Sequence, residues 1–126
     1  MRGKLFLVVC VLLAGEASSH ARLAESHPAE GGALNLENAT ISLNFTEAVQ
    51  PRFSDFALHF LGENAKAEAT RDNRLPRQTP SVDPSRSLIE VSLPPAAAPG
   101  WYLLDWEVLA EDGHTTSGKL RFQLRP

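Results

Sequence analysis

The sequence predicts an all-β domain, a single sandwich or barrel, on three observations. Short runs alternate polar and apolar residues with a period of two, as in Thr40-Ile41-Ser42-Leu43-Asn44-Phe45. Glycine and proline punctuate the gaps between those runs, the pattern of many short strands joined by turns. No segment carries an apolar stripe at helical spacing.

The elements follow in order. Residues 40–45 form the first clear strand. Residues 56–61 form a second, closed by Gly62. Residues 65–69 alternate weakly and are expected to pair back across that turn, with a helical turn over 65–70 as the alternative. Residues 88–93 form a further strand. Residues 101–109 form the longest, with Trp101, Leu103, Asp105, Glu107 and Leu109 on one side and Tyr102, Leu104, Trp106 and Val108 on the other. Residues 119–124 alternate cleanly and close the chain. Three stretches read as connections: 28–36 with Gly31-Gly32, 72–87 with Pro76, Pro80 and Pro84, and the proline-rich lead-in 94–100. The second is long enough to be mobile or functional. No internal repeat and no second domain appear.

The first nineteen residues read as a secretory leader. Arg2 and Lys4 supply a positive start, residues 5–14 an apolar stretch, and Gly15 to Ser19 the small residues of a cleavage site. The apolar stretch is about half the roughly 20 residues a spanning helix needs. Cleavage after Ser19 leaves His20 as the new terminus. Cleavage after Ala17 gives Ser18-Ser19-His20, with a histidine third, and cleavage after Ala21 removes the histidine altogether. The expected organisation is therefore a leader over 1–19 and one β-domain over 20–126.

Composition bounds the chemistry. The single Cys and single Met, Cys10 and Met1, both leave with the leader. No disulfide remains, so packing alone must hold the fold. No soft sulfur donor remains either, which argues against a Cu(I) site. Losing Arg2, Lys4 and Glu16 takes the net charge from −3 to −4. No basic stripe exists, so nucleic acid is not an expected partner. Arg71, Arg74, Arg77 and Arg86 scatter through a proline-containing connection and read as solvated surface.

Two features carry metal chemistry. A terminal His20 offers an amine and an imidazole on one residue. Asp112-Gly113-His114 offers a carboxylate and a second imidazole. Nitrogen and oxygen donors without thiolate favour Cu(II) in tetragonal geometry. An N-terminal amine ordinarily titrates near 7.7–8.0, so a metal must displace a proton from it at neutral pH. In an extended segment, Asp112 and His114 project to one face, with Gly113 leaving room between them. Blander roles exist for each residue. Asp-Gly is a common hairpin turn. His27, before Pro28, suits the surface, and His59 suits a packed strand position. Trp101, Tyr102 and Trp106 suit the core and its rim. Asn38 and Asn44 open glycosylation patterns that matter only on a eukaryotic secretory route.

The residues resemble one family, the periplasmic copper-resistance protein C family (CopC). The match begins at His20-Ala21-Arg22-Leu23 and Ser26-His27-Pro28-Ala29-Glu30-Gly31. It returns at Ile41-Ser42-Leu43-Asn44-Phe45-Thr46-Glu47-Ala48-Val49. It is strongest at Pro99-Gly100-Trp101-Tyr102-Leu103-Leu104-Asp105-Trp106-Glu107-Val108 and from Asp112-Gly113-His114 through Phe122. The resemblance implies a Greek-key β-barrel or sandwich of immunoglobulin-like type. It implies one Cu(II) per chain, held by His20, Asp112 and His114, with Glu47 placed to orient an imidazole. It implies a periplasmic location, a monomer, and an inner-membrane copper transport protein of the CopD type as partner. Some members carry a Met-rich loop for Cu(I). The corresponding region here, around 72–87, has no Met, which resembles the Cu(II)-only branch. Glu107 and Glu111 near the triplet are expected to add negative charge that favours a bound cation.

The expected function is an exported copper-binding protein serving resistance, storage or delivery, and not an enzyme. The alternatives are a copper-dependent oxidative enzyme of the histidine-brace type, or a structural secreted β-domain. The brace enzymes need an open copper face and an aromatic platform. No clear platform is visible in the sequence, and an Asp112 ligand would occupy a position that oxygen chemistry needs.

Overall fold

In a computed structural model, which describes residue 3 and residues 21–126, eight strands make two four-stranded sheets. The leader and His20 lie outside the described residues, so the expectations for 1–19 and for His20 are not addressed by the fold. The strands are β1 (Leu23–His27), β2 (Ala33–Asn35), β3 (Thr40–Phe45), β4 (Asp55–Gly62), β5 (Ser81–Val82), β6 (Leu88–Ser92), β7 (Gly100–Leu109) and β8 (Thr115–Arg125). One sheet has the order β1-β3-β6-β5 and the other β2-β8-β7-β4. The chain crosses between the sheets five times, at β1–β2, β2–β3, β3–β4, β4–β5 and β6–β7, the interleaved connectivity of a Greek-key sandwich.

Alternation decides which faces meet. Ile41, Leu43 and Phe45 of β3 and Ile89 and Val91 of β6 point inward from the first sheet. Tyr102, Leu104, Trp106 and Val108 of β7 meet them, with Leu120, Phe122 and Leu124 of β8. Tyr102 stacks on Phe122 at 5.6 Å and donates its hydroxyl to Ala98 O at 2.6 Å. Burial pushes the Tyr102 hydroxyl pKa up, against a smaller lowering from that bond. Phe45 meets Trp106 edge to face at 5.3 Å.

Three expectations need correction. Residues 65–69 form no strand. Asn64 closes a turn there, accepting from Lys66 N at the side chain and from Ala67 N at the backbone. The connection 72–87 is pinned along its length. Phe60 N donates to Asn73 O and Leu75 N to Leu58 O, which covers the free edge of β4, and β5 pairs with β6. The connection 28–36 holds β2, which runs parallel to β8.

The segment before Asn73 lies across the outer face of the second sheet. Arg121 on β8 donates through Nη1 to Ala65 O and Ala67 O. His59 is buried beneath the segment, its Nδ1 2.7 Å from Asn73 Oδ1 and 3.1 Å from Thr70 O. Leu103, its neighbour on β7, is buried as well.

Candidate metal centre

Four stretches of chain meet at one end of the sandwich. β7 and β8 pair in register up to Leu109 opposite Thr115, and residues 110–114 close the hairpin. Ala110 N donates to His114 O at 2.9 Å, and Gly113 N donates to Ala110 O at 3.1 Å. Val49 bridges to Ala110, and Gln50 N donates to Leu109 O at 2.8 Å. Thr46 exchanges hydrogen bonds with Arg22, while Ala21 O accepts from Thr116 Oγ1 at 2.7 Å. Val49 N donates to Arg86 O at 2.9 Å, which adds the turn before β6.

The hairpin brings Asp112 and His114 together, but not as an extended segment. Both lie in the turn, and Gly113 between them has φ +88. Space is not what Gly113 supplies, because a Cβ there would meet nothing within 4 Å. Its contribution is the left-handed backbone that a β-carbon disfavours. Asp112 Oδ1 accepts from His114 N at 2.9 Å, a local bond typical of aspartate in turns. Asp112 Oδ2 then faces His114 Nδ1 at 3.2 Å. The His114 side chain is 64% exposed and that of Asp112 22%.

That spacing suits a metal. Two bonds of about 2.0–2.1 Å at a right angle put their donor atoms roughly 2.8–3.0 Å apart. Among the described residues no group of three or more His, Cys, Asp or Glu side chains comes within metal-binding reach. The pair therefore stands two donors strong, and Glu47 does not join it. Glu47 is exposed and lies between the anchors at Thr46 and Val49.

Charge near the pair differs from expectation. Glu111 is bonded to the Arg86 guanidinium, so its charge is offset. Glu107 lies opposite Asp55 on the outer face of the second sheet. There it lines a cleft of about 400 Å³ with His59, Arg71, Arg74 and Asp105. The cleft holds neither Asp112 nor His114, and its volume exceeds anything a single ion requires. The arginines are also not merely scattered. Arg74 lies 3.6 Å and Arg77 3.8 Å from the Asp55 carboxylate, and Arg86 reaches the hairpin of residues 110–114. No local pattern in the sequence announces the Arg86–Glu111 pairing, which joins residues 25 apart.

Comparison with known proteins agrees with this architecture. A family model described as the CopC domain matches residues 23–125. The chain belongs to the CopC family. Protein YobA of Escherichia coli (strain K12) is 29% identical over 126 residues, covering 99% of this chain and 94% of YobA. Copper resistance protein C of Xanthomonas campestris pv. juglandis is 29% identical over 119 residues, covering 94% and 91% of the two chains. The crystal structure of CopC from Methylosinus trichosporium OB3b superposes with a TM-score of 0.67 at 20% identity, covering 85% of this chain and 95% of that one. PcoC, a methionine-rich copper resistance protein from Escherichia coli, superposes at 0.66 with 21% identity, covering 84% and 99%. Those two likenesses establish the shared fold. Family membership places the chain with copper-resistance proteins and not with enzymes.

Proposed function

We propose that this CopC-family chain is exported to the periplasm, loses residues 1–19, and holds one Cu(II) through His20, Asp112 and His114. The His20 amine and ring supply two nitrogens, Asp112 Oδ2 an oxygen, and the His114 ring a third nitrogen. Three nitrogens and one oxygen match the tetragonal preference of Cu(II). Asp112 Oδ1 accepts from the backbone of the turn, and Oδ2, beside the His114 ring, is the oxygen assigned to the ion. Binding releases the protons that the imidazoles and the amine would otherwise carry. Glu47, beside the same end of the sandwich, orients an imidazole without ligating.

The observation that carries this reading is the 3.2 Å spacing of Asp112 Oδ2 and His114 Nδ1 on a hydrogen-bonded hairpin. A second observation supports it. Ala21 O is fixed to Thr116, two residues beyond His114. Residue 20 is the next in sequence to that anchor. The bound ion serves resistance, storage or delivery to an inner-membrane protein of the CopD type.

The test is the terminus itself. Protein with a free His20 amine is titrated with Cu(II) beside protein that keeps extra residues before His20. The free form should bind one equivalent with a tetragonal electron paramagnetic resonance spectrum. The extended form should stay folded and lose most of the affinity, because an amide nitrogen replaces the amine. Equal affinity in the two forms would overturn the proposed ligand set.

A further inference from the structure

Arg86 combines two features that do not usually occur together on a surface residue. Its backbone has φ +59, the left-handed region that a β-carbon disfavours, and it is the one non-glycine residue in that region among those described. Its side chain spans to Glu111, the residue before Asp112. The surrounding turn holds the conformation in place. Arg86 N donates to Asp83 O at 2.9 Å, and the Asp83 carboxylate accepts from Ser85 Oγ at 2.5 Å and Leu88 N at 3.0 Å. Those bonds, the Ser85 hydroxyl first and the Leu88 amide second, hold the Asp83 carboxyl below its ordinary pKa of 3.8. Ser85 and Ser87 hydroxyls meet at 2.8 Å. The Arg86 carbonyl fixes Val49, two residues after Glu47.

A half-exposed ion pair contributes little to global stability. Backbone strain kept by a dense local network, at a turn that touches both the hairpin and the Glu47 segment, points to placement instead. We infer that Arg86 is a positioning residue for the metal centre: its guanidinium restrains residues 110–114 through Glu111, so that Asp112 and His114 keep their adjacent-ligand spacing. This rests on the copper reading above. Charge alone makes the opposite forecast for Arg86. A guanidinium near a divalent cation repels it, so removing Arg86 would tighten binding if charge were its only effect, whereas removing the Glu111 charge would weaken it.

The experiment compares Arg86→Gly, Arg86→Lys, Glu111→Gln and the double variant Arg86→Gly/Glu111→Gln, all with a free His20 terminus. Arg86→Gly removes the guanidinium and relieves the positive φ, so its thermal midpoint should match or exceed that of the parent. Its Cu(II) affinity should nevertheless fall about tenfold, the lower end of the range for residues that orient ligands. Glu111→Gln should fall by a similar factor, with the double variant no worse than either single change. Arg86→Lys should retain most of the affinity. Tighter or unchanged Cu(II) binding in Arg86→Gly overturns the inference. If Arg86→Gly fails to fold, amide relaxation in Glu111→Gln decides the matter, because its affinity loss is also what charge alone predicts. If the parent itself takes up no Cu(II), the copper reading fails, and amide relaxation in the metal-free protein decides about Arg86. Residues 111–114 should gain motion in Arg86→Gly and Glu111→Gln, and unchanged relaxation overturns the inference.

Discussion

Asp112 divides its two oxygens between two tasks, and that division sets what each neighbouring residue contributes. Oδ1 closes the turn on His114 N, while Oδ2 faces the ring. His114 carries the larger exposure, so in the proposed site an ion would approach from its side. Replacing His114 deletes a donor; replacing Glu47 at most loosens one. His114→Ala should therefore lower Cu(II) affinity by more than the roughly 10–100-fold typical of residues that only orient ligands, and Glu47→Ala by no more than that range. Isothermal titration of both variants checks the order, and a greater loss in Glu47→Ala would place Glu47 among the ligands. His59 lies away from the pair, its Nδ1 held by Asn73 and Thr70 beneath the covering segment and its ring beside a cleft that contains neither Asp112 nor His114. At this scale the donor types were legible from the Asp-Gly-His triplet. The device that joins them was not, because a two-residue spacing reads equally as strand or turn. The positive φ at Gly113 and the Ala110–His114 backbone bonds decide for the turn.

Strands legible from alternation are those whose pattern is imposed by a core on one side, β3, β6, β7 and most of β8, whereas β4, buried on both faces over residues 56–59, was legible as an apolar run closed by Gly62. Those missed, β1, β2 and β5, are short and sit at sheet edges, where pairing depends on a neighbour already in place. The opposite error over 65–69 has the same root, since weak alternation without a partner strand gives a turn. Within β7 and β8, one pair is packed close near the hairpin end. Trp106 stands opposite Gly118, and a β-carbon at 118 would come within 2.5 Å of Trp106 Cζ2. The indole meets Phe45 edge to face, and its Nε1 has no hydrogen-bond partner among the described residues. It has little freedom to retreat. Gly118→Ala should cost about 1–3 kcal/mol, the usual penalty for overpacking a dense core. Each kcal/mol lowers the thermal midpoint by about 4–8 °C in a domain of roughly this size. Calorimetry showing no loss would mean that the ring shifts freely. Because Thr116, two residues earlier on β8, anchors Ala21, the same variant should also blunt Cu(II) binding.

On the proposed ligand set, the whole molecule determines which copper ion is preferred and how binding feeds back on folding. From residue 20 onward it contains no Cys and no Met, the donors that stabilise Cu(I). The proposed ligands come from opposite ends of that segment, and only the closed sandwich brings Ala21 against Thr116 beside the hairpin. An unfolded chain has no such site, so bound Cu(II) stabilises the folded state by mass action. At free Cu(II) one hundred times the dissociation constant, the gain is about 2.7 kcal/mol. That corresponds to a rise in thermal midpoint of about 10–20 °C for a domain of this length. Cu(I), presented without oxygen and buffered by a chelator, should leave the midpoint unchanged. Calorimetry on the free-terminus protein with each ion in turn makes the comparison. An equal rise with Cu(I) would mean that the nitrogen and oxygen donors suffice for the reduced ion, and the assignment to Cu(II) alone would have to be withdrawn.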